Sequence, residues 1–203
     1  MKYYLSSYRI GNKADKLKEL VPVGKSLGFV PNALDHVDPK PRLESNENHM
    51  KDLTDLRISV EMLDLKKYFG KKEELKSKID GLGGIWVRGG NVFVLRQAMK
   101  LSGLDEILKN MDRKDFLYGG FSAAGCVLSP SLKSFQIVDD STIMPYKIKK
   151  VVWEGLGLID YVFLPHYKSD HSESKDIDKE VQYCKENGMP FKTLRDGEVI
   201  IIE

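Results

Sequence analysis

The segment 118–125, with the sequence YGGFSAAG, decides the fold because it predicts the end of a strand, a tight turn and the start of a helix. A serine at such a turn, here Ser122, stands clear of the sheet with its hydroxyl exposed, and the following N–H points into the space in front of it. Small neighbours such as Gly120 and Gly125 permit the close backbone approach that the turn requires. The segment favours a nucleophile at Ser122, with a simple N-cap serine as the alternative.

One position of this turn departs from the usual Gly-x-Ser-x-Gly pattern, because Ala124 stands where glycine is expected. We expect the additional methyl group to tilt the turn slightly. Cys126 follows one helical turn after Ser122, where its side chain is expected to point away from the turn and to fill space in the core.

Strands and helices alternate outward from this segment. Strands are predicted at residues 2–8, 27–34, 85–88, 115–120 and 158–164, and helices at 13–20, 48–61, 71–78 and 105–111, with a proline-rich loop over 35–47. Residues 191–194 and 199–202 flank an Asp-Gly turn and predict a C-terminal β-hairpin. The pattern predicts an α/β fold, with a mostly parallel sheet and helices on both faces.

Length and composition suit one domain over residues 1–203, because 203 residues with 41% hydrophobic content can bury one substantial core. The 32 basic and 30 acidic residues are spread along the chain, so nucleic acid is not an expected partner. No apolar run reaches the roughly 20 residues that cross a bilayer, so we expect no membrane partner and a cytoplasmic location. The two cysteines lack metal-ligand spacing, and no metal is expected. The oligomeric state stays open.

Three segments that carry candidate catalytic residues follow predicted strands. In a doubly wound sheet, ligands collect outside the carboxyl ends of the strands. The turn 89–91, Ser122 and His166 would therefore meet in one crevice. A histidine, with an ordinary pKa of about 6.5, is a suitable base for a serine hydroxyl. The N–H groups of Gly90 and Ala123 would then serve as donors to an oxyanion.

Four segments in one order carry a resemblance to a known family. They are residues 30–35 (VPNALD), 87–93 (VRGGNVF), 120–124 (GFSAA) and 155–167 (GLGLIDYVFLPHY). Together they resemble peptidase E, the aspartyl dipeptidase family of serine peptidases, which has a class I glutamine-amidotransferase-like fold.

The resemblance implies roles for these segments. Ser122 would be the nucleophile, His166 the general base, and the Gly-Gly-Asn turn with the amide of Ala123 the oxyanion site. It also implies hydrolysis of short peptides near a free N-terminus, through an acyl-enzyme and without metal or organic cofactor.

The third member of a catalytic triad is harder to place. The acidic residue of the family lies between the serine and the histidine, just before a Met-Pro pair, but here Ile143 occupies that position. Asp140 is the expected substitute and Asp139 is its neighbour, while a Ser-His dyad without an acid is equally compatible. Lysines 168, 175 and 179 stand where an arginine would hold an aspartate side chain, so an aspartyl preference is not predicted.

Two other functions remain compatible with the sequence. Cyanophycin-degrading hydrolases resemble the same fold and active site and cleave an isopeptide-like bond to aspartate. Alternatively, the chain keeps this architecture as a non-catalytic binding or regulatory module in which Ser122 and His166 are no longer coupled.

Overall fold

The fold is built around a six-stranded sheet, and the computed structural model describes all residues from 1 to 203. The strands are β1 Lys2–Ser6, β2 Leu27–Val30, β3 Val60–Met62, β4 Gly84–Val87, β5 Leu117–Phe121, β6 Val162–Leu164, β7 Phe191–Thr193 and β8 Val199–Ile202. The main sheet has the order β3-β2-β4-β5-β1-β8, in which only β8 runs antiparallel to its neighbour. Strands β6 and β7 form a separate parallel pair.

Helices cover both faces of the sheet. They are α1 Ala14–Leu20, α2 Pro39–Asp55, α3 Lys72–Asp80, α4 Val92–Ser102, α5 Leu104–Lys109, α6 Ala123–Cys126 and α7 Ser174–Glu186, with 3-10 turns at Asn32–Leu34, Leu65–Tyr68 and Ser134–Ile137. Successive strand residues such as Ile85 and Trp86 join two different apolar clusters, because side chains along a strand alternate between faces. The predicted α/β fold is confirmed. No helix has both the length and the apolar character of a membrane span.

The two predicted C-terminal strands are present, but they do not pair with each other as a hairpin. Strand β7 pairs with β6, and β8 pairs with β1. This arrangement lets Ile200 pack against the larger apolar cluster and Ile201 against the smaller one. Burial on both faces of the main sheet therefore overrides the local preference of the Asp-Gly turn for a hairpin.

The proline-rich segment 35–47 is largely helical, because α2 begins at Pro39 and ends at Asp55. The sequence placed this helix at 48–61. Proline is well tolerated in the first turn of a helix, where its missing N–H would have no partner within the helix. Pro39 therefore marks the start of α2 and not a loop.

Candidate active site

Ser122 lies in a sharp turn between β5 and α6, with φ 50° and ψ −112°. A non-glycine residue with positive φ is uncommon, and such backbone strain is concentrated at functional sites. The N–H of Ser122 donates to the carbonyl oxygen of Ser6 at 3.1 Å, which ties the turn to the end of β1. The side chain lines a narrow cavity of about 20 Å³, which is room for little more than one water molecule.

Gly120 accommodates the alanine that departs from the usual turn pattern. A Cβ atom on Gly120 would lie 2.5 Å from the Cβ atom of Ala124. Because glycine has no side chain, the methyl group of Ala124 has room beside Gly120. The carbonyl oxygen of Ala124 accepts a hydrogen bond from the Tyr118 hydroxyl at 2.9 Å. The methyl group of Ala124 is therefore compatible with the sharp turn at Ser122.

The turn after β4 places a peptide N–H beside Ser122. A Cβ atom on Gly89 would lie 3.1 Å from the Cβ atom of Ser122. The Gly89 carbonyl accepts a hydrogen bond from Arg88 Nε at 3.0 Å, and in a trans peptide the N–H of Gly90 points the opposite way. This N–H has no acceptor within the protein. Gly90 and Ala123, whose N–H starts α6, both line the cavity with Ser122.

Arg88 is the residue that orients this turn, and replacing it tests that role. Arg88 is buried and donates to Asn46 Oδ1 at 2.6 Å as well as to Gly89. Because lysine lacks the planar fork of donors, Arg88→Lys is expected to lower kcat about tenfold or more with little change in KM. Steady-state kinetics on a dipeptide check this, with Arg113→Lys as the control. An unchanged kcat at an unchanged melting temperature would contradict the role.

His166 follows β6, and its ring is 2% exposed. Its Nδ1 lies 2.7 Å from Asp196 Oδ1, and its backbone N–H donates to Ser7 Oγ at 2.8 Å. The Ser7 hydroxyl in turn donates to the same oxygen of Asp196 at 2.8 Å. A hydrogen-bonded carboxylate on Nδ1 fixes the ring and leaves Nε2 as the nitrogen that is able to accept a proton.

The structure corrects the choice of Asp140 as the acidic partner of His166. The exposed carboxylate of Asp140 accepts hydrogen bonds from the N–H and hydroxyl of Thr142. Asp139 is partly buried, and its carboxylate accepts a hydrogen bond from the N–H of Val92 at 2.7 Å, at the start of α4. Both residues belong to a loop whose contacts run to α4, which keeps their carboxylates away from Nδ1.

Burial lowers the pKa of His166 below its ordinary value of 6.5, because imidazolium loses hydration in this position. The nearby His171 also lowers the pKa, while Asp196 and Glu173 oppose the effect. His171 stacks on His166 with ring centroids 3.7 Å apart and planes inclined by 8°. The ring is therefore neutral at neutral pH, as a general base must be.

Ser122 and His166 lie along the same rim without being hydrogen-bonded to each other. Consecutive residues at the end of β1 bond to both of them, Ser6 to the N–H of Ser122 and Ser7 to the N–H of His166. Pro165, the neighbour of His166, lines the Ser122 cavity. His166 follows β6, which pairs with β7 and does not belong to the main sheet. The sequence analysis expected His166 to follow a strand of the same sheet as Ser122, so the structure differs from that expectation. In free enzymes, catalytic hydrogen bonds are often long and shorten with substrate.

Several residues of this site were not found from the sequence. Asn91, which ends the Gly-Gly-Asn turn, caps α4 by accepting a hydrogen bond from the N–H of Val94 at 2.9 Å. The sequence patterns do not single out His171, and they place Asp196 only in the Asp-Gly turn of the predicted hairpin. The loop around His171 is rich in Ser, Asp and Glu, and this composition does not predict that His171 stacks on His166.

His166, His171 and Glu173 each offer a ligand atom, and these atoms lie within 4.8 Å of one another. The two imidazole rings are nearly parallel, so their lone pairs run side by side and do not converge on one ion. Zinc requires ligand atoms at about 2.0–2.2 Å in a tetrahedral arrangement. The observed arrangement does not fit such a centre.

Comparison with known proteins identifies the family of this chain. The family model for peptidase family S51 matches residues 9–203. An uncharacterized peptidase of Listeria monocytogenes is 30% identical over 150 residues, covering 72% of this chain and 67% of that protein. Peptidase E of Streptomyces coelicolor is 28% identical over 195 residues, covering 93% of this chain and 72% of that protein.

The fold has a close counterpart among solved structures. The crystal structure of a proposed peptidase E of Listeria monocytogenes EGD-e has a TM-score of 0.73 at 22% identity and covers 100% of this chain and 98% of its own. The family match spans nearly the whole sequence, including the turn at Ser122 and the segment of His166. The chain therefore belongs to peptidase family S51 and is a hydrolase of the serine type.

Proposed function

We propose that this peptidase hydrolyses short peptides near a free N-terminus, in the manner of a dipeptidase, with Ser122 as nucleophile, His166 as general base and Asp196 as the residue that orients His166. The observation that carries the proposal is the hydrogen bond of 2.7 Å between His166 Nδ1 and Asp196 Oδ1, on the same rim as the strained turn of Ser122. We also propose that the protein is located in the cytoplasm and that residues 1–203 form a single domain.

The proposed reaction proceeds through an acyl-enzyme. Ser122 Oγ attacks the scissile carbonyl carbon while His166 Nε2 takes its proton, and Asp196 stabilises the imidazolium that forms. The N–H groups of Gly90 and Ala123 stabilise the oxyanion, each contributing about 3 kcal/mol in the transition state. The imidazolium then protonates the leaving amine. Water, activated by the same histidine, hydrolyses the ester and frees Ser122.

The acidic limb of the pH profile tests His166. Because the base must be neutral, kcat/KM is expected to fall as the pH drops through the lowered pKa, with a midpoint below 6.5. His171→Gln removes a group that lowers this pKa, so the midpoint should move to higher pH. His36→Gln is the control and should leave the midpoint in place, because His36 is not among the groups that shift the pKa of His166. A midpoint that moves to lower pH in His171→Gln would contradict the assignment.

Covalent labelling tests the nucleophile directly. A small fluorophosphonate is expected to label Ser122 in a one-to-one ratio, as read by mass spectrometry of the digested protein. Labelling should disappear in His166→Gln and persist in the control His36→Gln, because only His166 removes the proton of the hydroxyl. A label on another serine would overturn the proposal. Parallel assays with dipeptides and cyanophycin distinguish the two hydrolase activities that the sequence leaves open.

A further inference from the structure

Glu180 is a buried acid with no partner. The residue is 1% exposed, and neither of its carboxylate oxygens has a hydrogen-bond partner. Buried polar groups are normally hydrogen-bonded, so an unpartnered group of this kind needs an explanation. Glu180 lies on α7, on the same face as Ile177 and Cys184, and is not exposed to solvent like its charged neighbours.

Glu180 is one of the residues that line the same cavity as Ser122. Two other acids, Asp139 and Glu173, also line it, and no lysine or arginine does. The lining also includes Ser122 and the two residues whose N–H groups are proposed to bind the oxyanion. The remaining wall is apolar and consists of Phe135, Val138, Ile177, Cys126 and Pro165.

The groups that face Glu180 are all acidic or neutral. Burial raises the pKa of Glu180 well above its usual value, and Asp139, Glu173 and Asp176 raise it further. Burial also raises the pKa of Asp139, to about 7. The thiols of Cys126 and Cys184 are near enough to feel the charge of Glu180, and they are protonated because their own pKa values are raised. Without a ligand, Glu180 is therefore protonated and the cavity avoids an uncompensated buried charge.

We propose that this cavity binds a primary ammonium group of the peptide substrate, and that Glu180 is the residue that specifies it. The inference rests on the proposed function, since it concerns the same site. An ammonium supplies the donors that both oxygens of Glu180 lack, and the free volume of about 20 Å³ suits a group of that size. An acidic side chain in the same place would meet three carboxyl groups and be rejected.

Two parts of a peptide carry such a group. The α-ammonium of a free N-terminus is attached to the residue whose carbonyl Ser122 would attack, and a lysine side chain branches from that same residue. Binding of either converts Glu180 from carboxylic acid to carboxylate, with the proton released to solvent. The pair formed is carboxylate and ammonium, so no net charge is added to the buried site.

Calorimetry on the Ser122→Ala protein measures binding without cleavage. The ligands are Lys-Leu, norleucyl-Leu, the N-acetylated form of each, and Asp-Leu, titrated in two buffers of different ionisation enthalpy. We expect the peptides with an accessible ammonium to bind about tenfold or more tightly than those without, and to release a proton on binding. Loss of binding on acetylation of both peptides assigns the α-ammonium. A preference for N-acetyl-Lys-Leu over N-acetyl-norleucyl-Leu assigns the side chain.

Substitutions in the Ser122→Ala background assign the effect to Glu180. Glu180→Gln should abolish both the ammonium preference and the proton release, and the isosteric Asp139→Asn should weaken the preference while keeping the contact with Val92. Glu186→Gln on the exposed face of α7 is the control. Melting temperatures confirm that each variant is folded.

Equal binding of all five ligands, absence of binding by any of them, or an unchanged preference in Glu180→Gln would overturn this inference. Its failure is distinguishable from failure of the proposed function. Peptides that bind through an ammonium but are not cleaved by the unmodified enzyme would refute the function alone. Cleavage without any ammonium preference would refute the inference alone.

Discussion

Alanine in place of Ser122 is expected to lower kcat for short peptides by about six orders of magnitude, because loss of a serine nucleophile leaves only the contributions of binding and of the oxyanion donors. The melting temperature should stay within a few degrees, since alanine removes one oxygen and keeps the backbone of the turn. Hydrolysis of a dipeptide panel, followed by chromatography of the released amino acids, measures the change.

Ser77→Ala, at an exposed position of α3, is the control for this variant. It should retain full activity. Hydrolysis by Ser122→Ala at the rate of the unmodified enzyme would exclude Ser122 as the nucleophile. Loss of activity accompanied by a large fall in melting temperature would show instead that the serine is needed for folding.

Asn in place of Asp196 is expected to lower kcat by about four orders of magnitude. The amide of asparagine is able to donate to Nδ1 of His166 and so favour the tautomer whose Nε2 carries the proton. That tautomer cannot accept a proton from Ser122. Single-turnover assays with a chromogenic peptide ester and dipeptide kinetics report the acylation rate and kcat respectively.

The matched control distinguishes Asp196, the acid that the structure places on His166, from Asp140, the acid that the sequence favoured. Asp140→Asn changes the acid that the sequence favoured, whose carboxylate bonds only to Thr142 in the structure. Its kcat should stay within about twofold of the unmodified value, as for most exposed substitutions. The reverse ranking, with Asp140→Asn inactive and Asp196→Asn active, would restore the original assignment.

The parts of the site that the sequence predicted are those in which a local pattern dictates local geometry. Small residues around Ser122 and the glycines at 89 and 90 allow turns that bulkier residues would block. Strand and helix alternation then placed these turns at the carboxyl ends of neighbouring strands. These predictions needed no knowledge of contacts between distant residues.

Asp196 could not be identified in this way, because its role depends on a contact with a histidine 30 positions earlier and on a serine at the start of the chain. An Asp-Gly turn between two apolar runs is typical of a hairpin, and the pairing of β8 with β1 is a property of the whole sheet. Glu180 did carry a signal. It lies three residues after Ile177 and four before Cys184, which places an acid on the apolar face of a helix.

The order of Ser122, His166 and Asp196 along the chain has a consequence for biosynthesis. A ribosome makes the serine and the histidine before it makes Asp196, which lies between β7 and β8. With the proposed roles, a growing chain lacks an oriented base until β7 has docked on β6 and β8 on β1. Activity is therefore expected to appear together with the completed sheet.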